Sequence, residues 1–224
     1  MTDAALVQNS EDWLQARCGS VGASDVPNII RRTKTGYSAT RANLMALKTL
    51  ERLTGRPVET YQNQAMQIGH EREPVARAAY EFMNDVTVET IGLVRHPLIM
   101  GSHCSPDGTI GELGLIEIKC PQPAAHLDTL LNQKIDNDYF VQMQWQMACS
   151  GRSWVDYVSF NPDFPASMQL WVERVERSPE VIEDLEDEVR LFLKELGAKV
   201  DELRQRYEMG EPTLSAKGQE RVTS

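Results

Sequence analysis

The chain is poor in the residues that build cross-linked or metal-clipped folds. Its 224 residues include only four cysteines (Cys18, Cys104, Cys120, Cys149) and four histidines, with no Cys-x-x-Cys and no His-x₃-His pair. A structural zinc site needs such closely spaced ligands, so their absence argues against zinc. Reduced cysteines in a cytosolic compartment are the expectation. No run approaches the ~20 apolar residues that span a bilayer, and the polar N-terminus lacks a signal-peptide pattern, so no membrane role is expected. Internal repeats and low-complexity stretches are missing as well. What remains, 41% hydrophobic and 25% charged residues, is ordinary for a soluble globular protein and long enough for one well-cored domain.

Positive charge is scarce overall, with a net charge of −10, but it is segregated. Residues 26–58 hold seven basic residues (Arg31, Arg32, Lys34, Arg41, Lys48, Arg52, Arg56) against one acid, Glu51. Residues 173–202 hold eleven acids and five bases. A polyanion responds to the local field, so a basic face on an acidic protein is compatible with phosphate binding. Solvated helix surfaces would give the same pattern.

The densest chemistry lies in Ser105-Pro106-Asp107-Gly108 and, ten residues after the aspartate, Glu117-Ile118-Lys119. Two short runs, 104–110 and 115–120, read as strands joined by a Gly-Glu-Leu-Gly turn at 111–114. Folding that hairpin about its centre sets Asp107 opposite 117–119. Strand alternation sends Glu117 and Lys119 to one face and Ile118 to the other. Mg²⁺ favours carboxylate, carbonyl and water oxygens. Asp107, Glu117 and the Ile118 carbonyl would supply them, with Lys119 beside them to orient or deprotonate a water that cuts a phosphodiester. Against this, Asp-Gly is often only a turn, and Glu-x-Lys on a strand is often a solvated cross-strand pair.

The rest of the chain reads as helix with interspersed strands. A helix or turn surrounds Trp13 and Arg17; the loop Gly19–Ser24 then enters a helix through Val26, Ile29 and Ile30, with Ser24 as its N-cap. Such a loop offers backbone N–H groups to an anion, and Arg17 upstream makes phosphate a candidate, although a simple capped helix with a surface arginine reads the same way and is the commoner case. Thr33 to Ser38 reads as linker, and a helix spans about 38–53. The next helix, 63–84, opens on Gly69-His70-Glu71-Arg72-Glu73, with Ile68, Val75, Ala76, Ala79 and Phe82 as its apolar face. Strands at 86–94 and 97–100 feed the hairpin. A single helix over 127–150 carries Phe140, Met143 and Met147 on one stripe, with Tyr139, Gln142 and Gln146 beside it. Strands at 154–160 and 168–175 precede a long amphipathic helix, 179–207, whose apolar seam runs from Ile182 to Tyr207 and packs on this subunit or on another. The expected organisation is one unit over 1–208, with a helical part (11–84), a sheet core (86–176) and the terminal helix, followed by a mobile tail at 209–224.

Read together, these blocks resemble the restriction-endonuclease-like fold, α/β with a central mixed sheet flanked by helices. More closely they resemble the phage lambda exonuclease, or YqaJ-type viral recombinase, family. The blocks are Trp13-Leu14-Gln15-Ala16-Arg17, Gly22-Ala23-Ser24, residues 69–73, Cys104 to Gly108, Glu117 to Pro121 and Tyr139 to Gln144, in the family's order. The resemblance implies a Mg²⁺-dependent, processive 5′→3′ exonuclease on linear double-stranded DNA, leaving a 3′ overhang. It implies two ions per site, with Mn²⁺ a plausible substitute, held by Asp107, Glu117, the Ile118 carbonyl and Glu73. Lys119 would serve the nucleophilic water and Gln142 would assist. Arg17, Ser24, Ser105 and Gln142 would hold a 5′-terminal phosphate. Arg31, Arg32, Lys34, Arg41 and Tyr139 are candidate DNA contacts. A homotrimeric ring, a single-strand annealing partner and a phage or prophage origin in a bacterial cytoplasm follow from the same resemblance. The alternatives are an endonuclease or nickase on the same fold, and a non-catalytic DNA-end-binding protein.

Overall fold

The computed structural model describes residues 2–3, 8, 10–58 and 64–207. The first part of the chain runs β1 (Thr2–Asp3), α1 (Glu11–Arg17), β2 (Val21–Gly22), a 3₁₀ turn (Ala23–Asp25), α2 (Val26–Ile30), β3 (Arg32–Thr33), β4 (Gly36–Tyr37), α3 (Ala39–Thr54) and α4 (Gln64–Asn84). Short strands follow: β5 (Val88–Glu89), β6 (Leu93–Arg95), β7 (Ser102–Cys104), β8 (Gly108–Ile110) and the longer β9 (Gly114–Lys119). The last part is α5 (Pro123–Asn132), α6 (Asn137–Ser150), β10 (Trp154–Phe160), β11 (Leu170–Glu176) and α7 (Pro179–Tyr207). The expected tail at 209–224 lies outside the described residues.

Two sheets carry the architecture, with strand orders β11-β10-β9-β8-β5 and β1-β6-β7-β2. In the first, β9 and β10 are parallel, and α5 with α6 form the crossover that such a pair requires. The β8–β9 hairpin pairs Ile110 with Gly114 and Gly108 with Ile116. Alternation sorts the two faces. Leu115, Val155, Tyr157 and Val175 join the core built with α2, α6 and α7, while Ile116, Ile118, Val158 and Phe160 meet Ala76 and Tyr80 of α4. Glu117 and Lys119 therefore share the α6 side with Leu115.

The strand read over 104–110 is two strands in different sheets. Pro106 has no N–H to give a ladder, so pairing stops there. The chain leaves the second sheet at Cys104 and enters the first at Gly108. Ser105 and Asp107 lie at the crossing. Gly108 serves close approach rather than a turn: a Cβ there would sit 2.3 Å from Val88 Cγ1 and 3.1 Å from the Glu89 carbonyl.

Other expectations shift. The single helix read over 127–150 is broken between α5 and α6, where Gln133 takes a left-handed φ of 47° and Asp136 caps α6 through Asp138 N–H. Residues 97–100 form a turn in which His96 Nδ1 accepts from Leu98 and Ile99 N–H, and the linker at 33–38 is the β3–β4 hairpin. Ser24 lies inside the 3₁₀ turn and caps nothing; Asp25 instead accepts the Gly22 N–H. On α4 the buried face is Ala76 and Tyr80, while Val75 and Phe82 are exposed. Phe82 lies two residues, roughly 200° of helix rotation, past Tyr80 and so points away from the sheet. Glu73 is a mid-helix residue, since α4 begins at Gln64.

The α7 seam closes on this subunit. Ile182, Leu185, Val189, Phe192, Leu196 and Val200 are buried against α2, α3 and α6, each such side chain contributing roughly 1.5–3 kcal/mol on leaving water. Tyr207, last of the expected seam, is exposed.

Candidate active site

The strand crossing and the β9 edge assemble a compact group of charges. Asp107 Oδ2 accepts the Ile118 N–H at 2.6 Å, which fixes the carboxylate beside β9. The Asp107 carbonyl accepts from Arg77 Nη2 at 2.8 Å, and the same nitrogen meets Glu73 Oε1 at 3.0 Å. Arg77, one helical turn after Glu73, thus ties α4 to the hairpin. The Glu-x₃-Arg spacing is the signal that would have found it.

Glu117 is 2% exposed yet fully partnered. Its Oε1 accepts from Lys119 Nζ at 2.5 Å and Gln142 Nε2 at 2.7 Å; its Oε2 accepts from Gln146 Nε2 at 2.5 Å. Gln142 and Gln146 are one turn apart on α6 and converge on this carboxylate; the sequence reading gives a site role to Gln142 alone, and the four-residue spacing is the signal for its neighbour. Tyr139, on the same helix, lies under Lys119, with Nζ 4.9 Å from its ring centroid.

Electrostatics bind the group together. Burial pushes the Asp107 carboxyl well above the usual carboxylate range, and the charges of Glu117 and Glu73 push the same way. Burial works against the Lys119 ammonium, but Glu117 and Asp107 outweigh it, so the pKa is raised and the lysine stays protonated.

A second group opens from the first. Trp13 Nε1 donates to Ser105 Oγ at 3.2 Å, and the Arg17 guanidinium lies 3.9 Å over the Trp13 ring. Burial lowers the Arg17 pKa, with Asp25 and Glu51 opposing the shift. One cavity of about 760 Å³ is lined by Arg17, Ser24 and Ser105 together with Glu73, Asp107, Glu117, Ile118, Lys119, Tyr139 and Gln142. Arg31, Arg32, Lys34 and Arg41 do not reach it. Arg31 pairs with Asp138, Arg32 with Glu188, and Arg41 is buried against Glu195 and the Tyr37 ring. Arg41 therefore holds α3 to α7 and presents no charge outward.

His103 backs the Arg17 end of the cavity. Ser20 Oγ gives its proton to the Arg17 carbonyl at 2.7 Å, so it accepts from His103 Nδ1–H at 2.9 Å, and this network assigns the tautomer. Burial, then Arg17, Lys48 and Arg95, push the imidazole pKa down to about 3. A histidine neutral in the fold but titrating near 6.5 when unfolded contributes stability above pH 6.5 that is lost as pH falls toward 3. Urea unfolding at pH 7.5 and 5.5 is expected to show a stability loss about 1 kcal/mol smaller in His103→Gln than in the unaltered chain. Equal losses would contradict this.

The donor set suits a hard divalent cation. Among the described residues no three His, Cys, Asp or Glu groups form a ready metal cluster. Glu73 is drawn to Arg77 and Glu117 to Lys119. Mg²⁺, however, commonly takes one or two carboxylates and keeps several waters. The crowding of negative charge on Asp107 is what such an ion relieves.

The YqaJ-like viral recombinase domain matches residues 12–153. Among solved structures, the alkaline exonuclease LHK-Exo from Laribacter hongkongensis is 42% identical, with a TM-score of 0.83 over 89% of this chain and 99% of its own. Its complex with dAMP, equally identical and with the same coverage, gives a TM-score of 0.84. A phage-related exonuclease from Haemophilus somnus, 16% identical with a TM-score of 0.68 over 82% of this chain and 96% of its own, shares the fold. No curated protein sequence matches. With well over half of its length matched and the Asp107, Glu117 and Lys119 group gathered in one cavity, the chain belongs to the YqaJ-like viral recombinase family.

Proposed function

We propose that this protein is a Mg²⁺-dependent 5′→3′ exonuclease that degrades the 5′-phosphorylated strand of linear duplex DNA and leaves a 3′ overhang. One observation carries the reading: a single cavity joins the acid–lysine group to the Arg17–Ser105 pocket. A terminal phosphate held by Arg17, Ser24 and Ser105 would place the first phosphodiester against Asp107 and Glu117, so each cut would remove one nucleotide. The dAMP bound to LHK-Exo is such a unit, a mononucleotide carrying a 5′-phosphate.

Asp107, Glu117, the Ile118 carbonyl and Glu73 would hold the ions, two where the shells allow. Bound there, Mg²⁺ lowers the pKa of water and neutralises charge on phosphoryl oxygens. The chain's own residues do the positioning. Asp107 is locked by the Ile118 N–H and Glu73 is steered by Arg77. Gln142 keeps Glu117 oriented from α6. Lys119, paired with Glu117 at the cavity edge, would orient or help activate the attacking water, or donate to a phosphate oxygen. Tyr139 supports the lysine from below. Arg31, Arg32 and Lys34, outside the cavity, would meet duplex phosphates. A ring-shaped homotrimer, a single-strand annealing partner and action in a phage-infected bacterial cytoplasm complete the reading. No described helix is long and apolar enough to cross a membrane.

The test is digestion in Mg²⁺ of linear duplexes phosphorylated on one 5′ end, on the other, or on neither, beside a closed circle. Selective loss of the 5′-phosphorylated strand with the circle intact is expected. Cutting of the circle would instead show an endonuclease, and tight end binding without cutting a DNA-end-binding protein.

A further inference from the structure

Gln146 is fully buried and does not line the cavity, yet its Nε2 donates to Glu117 Oε2 at 2.5 Å. Its own Oε1 is buried with no hydrogen-bond partner among the described residues. Turning the amide over would set that oxygen against a carboxylate, so the orientation is dictated by Glu117. The donors to the other oxygen, Lys119 and Gln142, do line the cavity. The two oxygens of Glu117 thus have different surroundings. Oε1 looks toward the cavity, where a cation can take the place of a donor. Oε2 looks inward, and losing its donor would strand a second buried polar atom on the same amide.

We propose that Gln146 is a positioning residue that restricts Glu117 to single-oxygen ligation and so biases the site toward Mg²⁺ or Mn²⁺ and against Ca²⁺. The proposal rests on the metal-dependent reading above. Mg²⁺ takes six ligands in a near-ideal octahedron, whereas Ca²⁺ takes six to eight oxygens and often both oxygens of one carboxylate. Two-oxygen ligation by Glu117 requires Oε2 to turn to the cavity. That breaks the Gln146 bond and leaves the whole amide without partners in a closed interior. The larger ion is therefore penalised by a group it never touches. Partners that orient a metal ligand commonly change affinity about 10–100-fold when removed.

The test is calorimetric titration of Mn²⁺ and of Ca²⁺ into the metal-free full chain, unaltered and as Gln146→Met, which keeps length and volume but has no N–H. The unaltered chain is expected to prefer Mn²⁺ over Ca²⁺ by at least about tenfold, and the variant to narrow that preference about tenfold through weaker Mn²⁺ binding with Ca²⁺ held or tightened. Parallel weakening of both ions, as a purely structural role would give, overturns the proposal. Gln142→Met, which removes a donor on the cavity side, is expected to leave the ratio unchanged; a matching shift there overturns the assignment to Gln146. If Gln146→Met does not fold, as read by thermal melting, Gln146→Leu replaces it. Equal affinities in the unaltered chain overturn the proposal without any variant. Binding of neither ion removes the metal-dependent reading and this inference with it.

Discussion

Lys119→Ala is expected to lower cleavage of 5′-phosphorylated duplex by about 10³-fold, the middle of the range for losing a positioned proton-handling group. End binding measured in Ca²⁺ should stay within about twofold, because the variant removes a cavity-facing contact and no fold contact of comparable weight. The lysine lies between Glu117, with which it shares a short ion pair, and the Tyr139 ring. It also faces the Asp107 carboxylate, whose charge helps to keep it protonated. Its removal leaves the acids without that counter-charge and the attacking water without its donor. Glu117 keeps Gln142 and Gln146, so the framework survives. Lys119→Arg should not rescue, since a planar guanidinium cannot reproduce a point charge on a flexible stem at that place. Normal turnover in Lys119→Ala would remove the lysine from the mechanism, and loss of end binding would make its role structural.

How much of this was legible follows from the range of the interactions. The α7 boundaries, the β10 strand and the facing of Glu117 and Lys119 depend on local periodicity, and the sequence carries that signal directly. Asp107 opposite 117–119 followed from hairpin geometry, and the Gly108–Ile116 pairing agrees. What escaped depends on contacts distant in sequence. Nothing local says that Cys104 and Gly108 belong to different sheets; Pro106 marks only that a ladder must stop. Hydrophobicity alone put Phe82 on the buried face of α4, whereas the sheet meets the helix at Ala76 and Tyr80. Arg41 looked like surface charge because its partner, Glu195, lies 154 residues away. Gln146 was visible as the turn-mate of Gln142, but its target is fixed only once α6 crosses β9.

Arg17→Ala is expected to slow digestion of 5′-phosphorylated ends about 10–100-fold, the equivalent of one charge-assisted hydrogen bond worth ~1.5–3 kcal/mol, and to leave 5′-hydroxyl ends unchanged. The sign rests on burial. Removing water from the guanidinium already lowers its pKa, with Asp25 and Glu51 only partly compensating, so a phosphate dianion arriving there meets a poorly hydrated cation that gains from the pairing. The face of Trp13 fixes the plane of the fork, and the indole N–H holds Ser105 beside it. Arg17→Lys should therefore behave nearly like the alanine variant, since an ammonium neither stacks on the ring nor forms the fork. The measurement is the ratio of initial rates on phosphorylated and unphosphorylated ends, with folding checked by thermal melting. A ratio that collapses toward one shows Arg17 to be the end sensor. A ratio that survives while both rates fall would place the arginine in the framework around Trp13, and the terminal phosphate would have to be read elsewhere in the cavity.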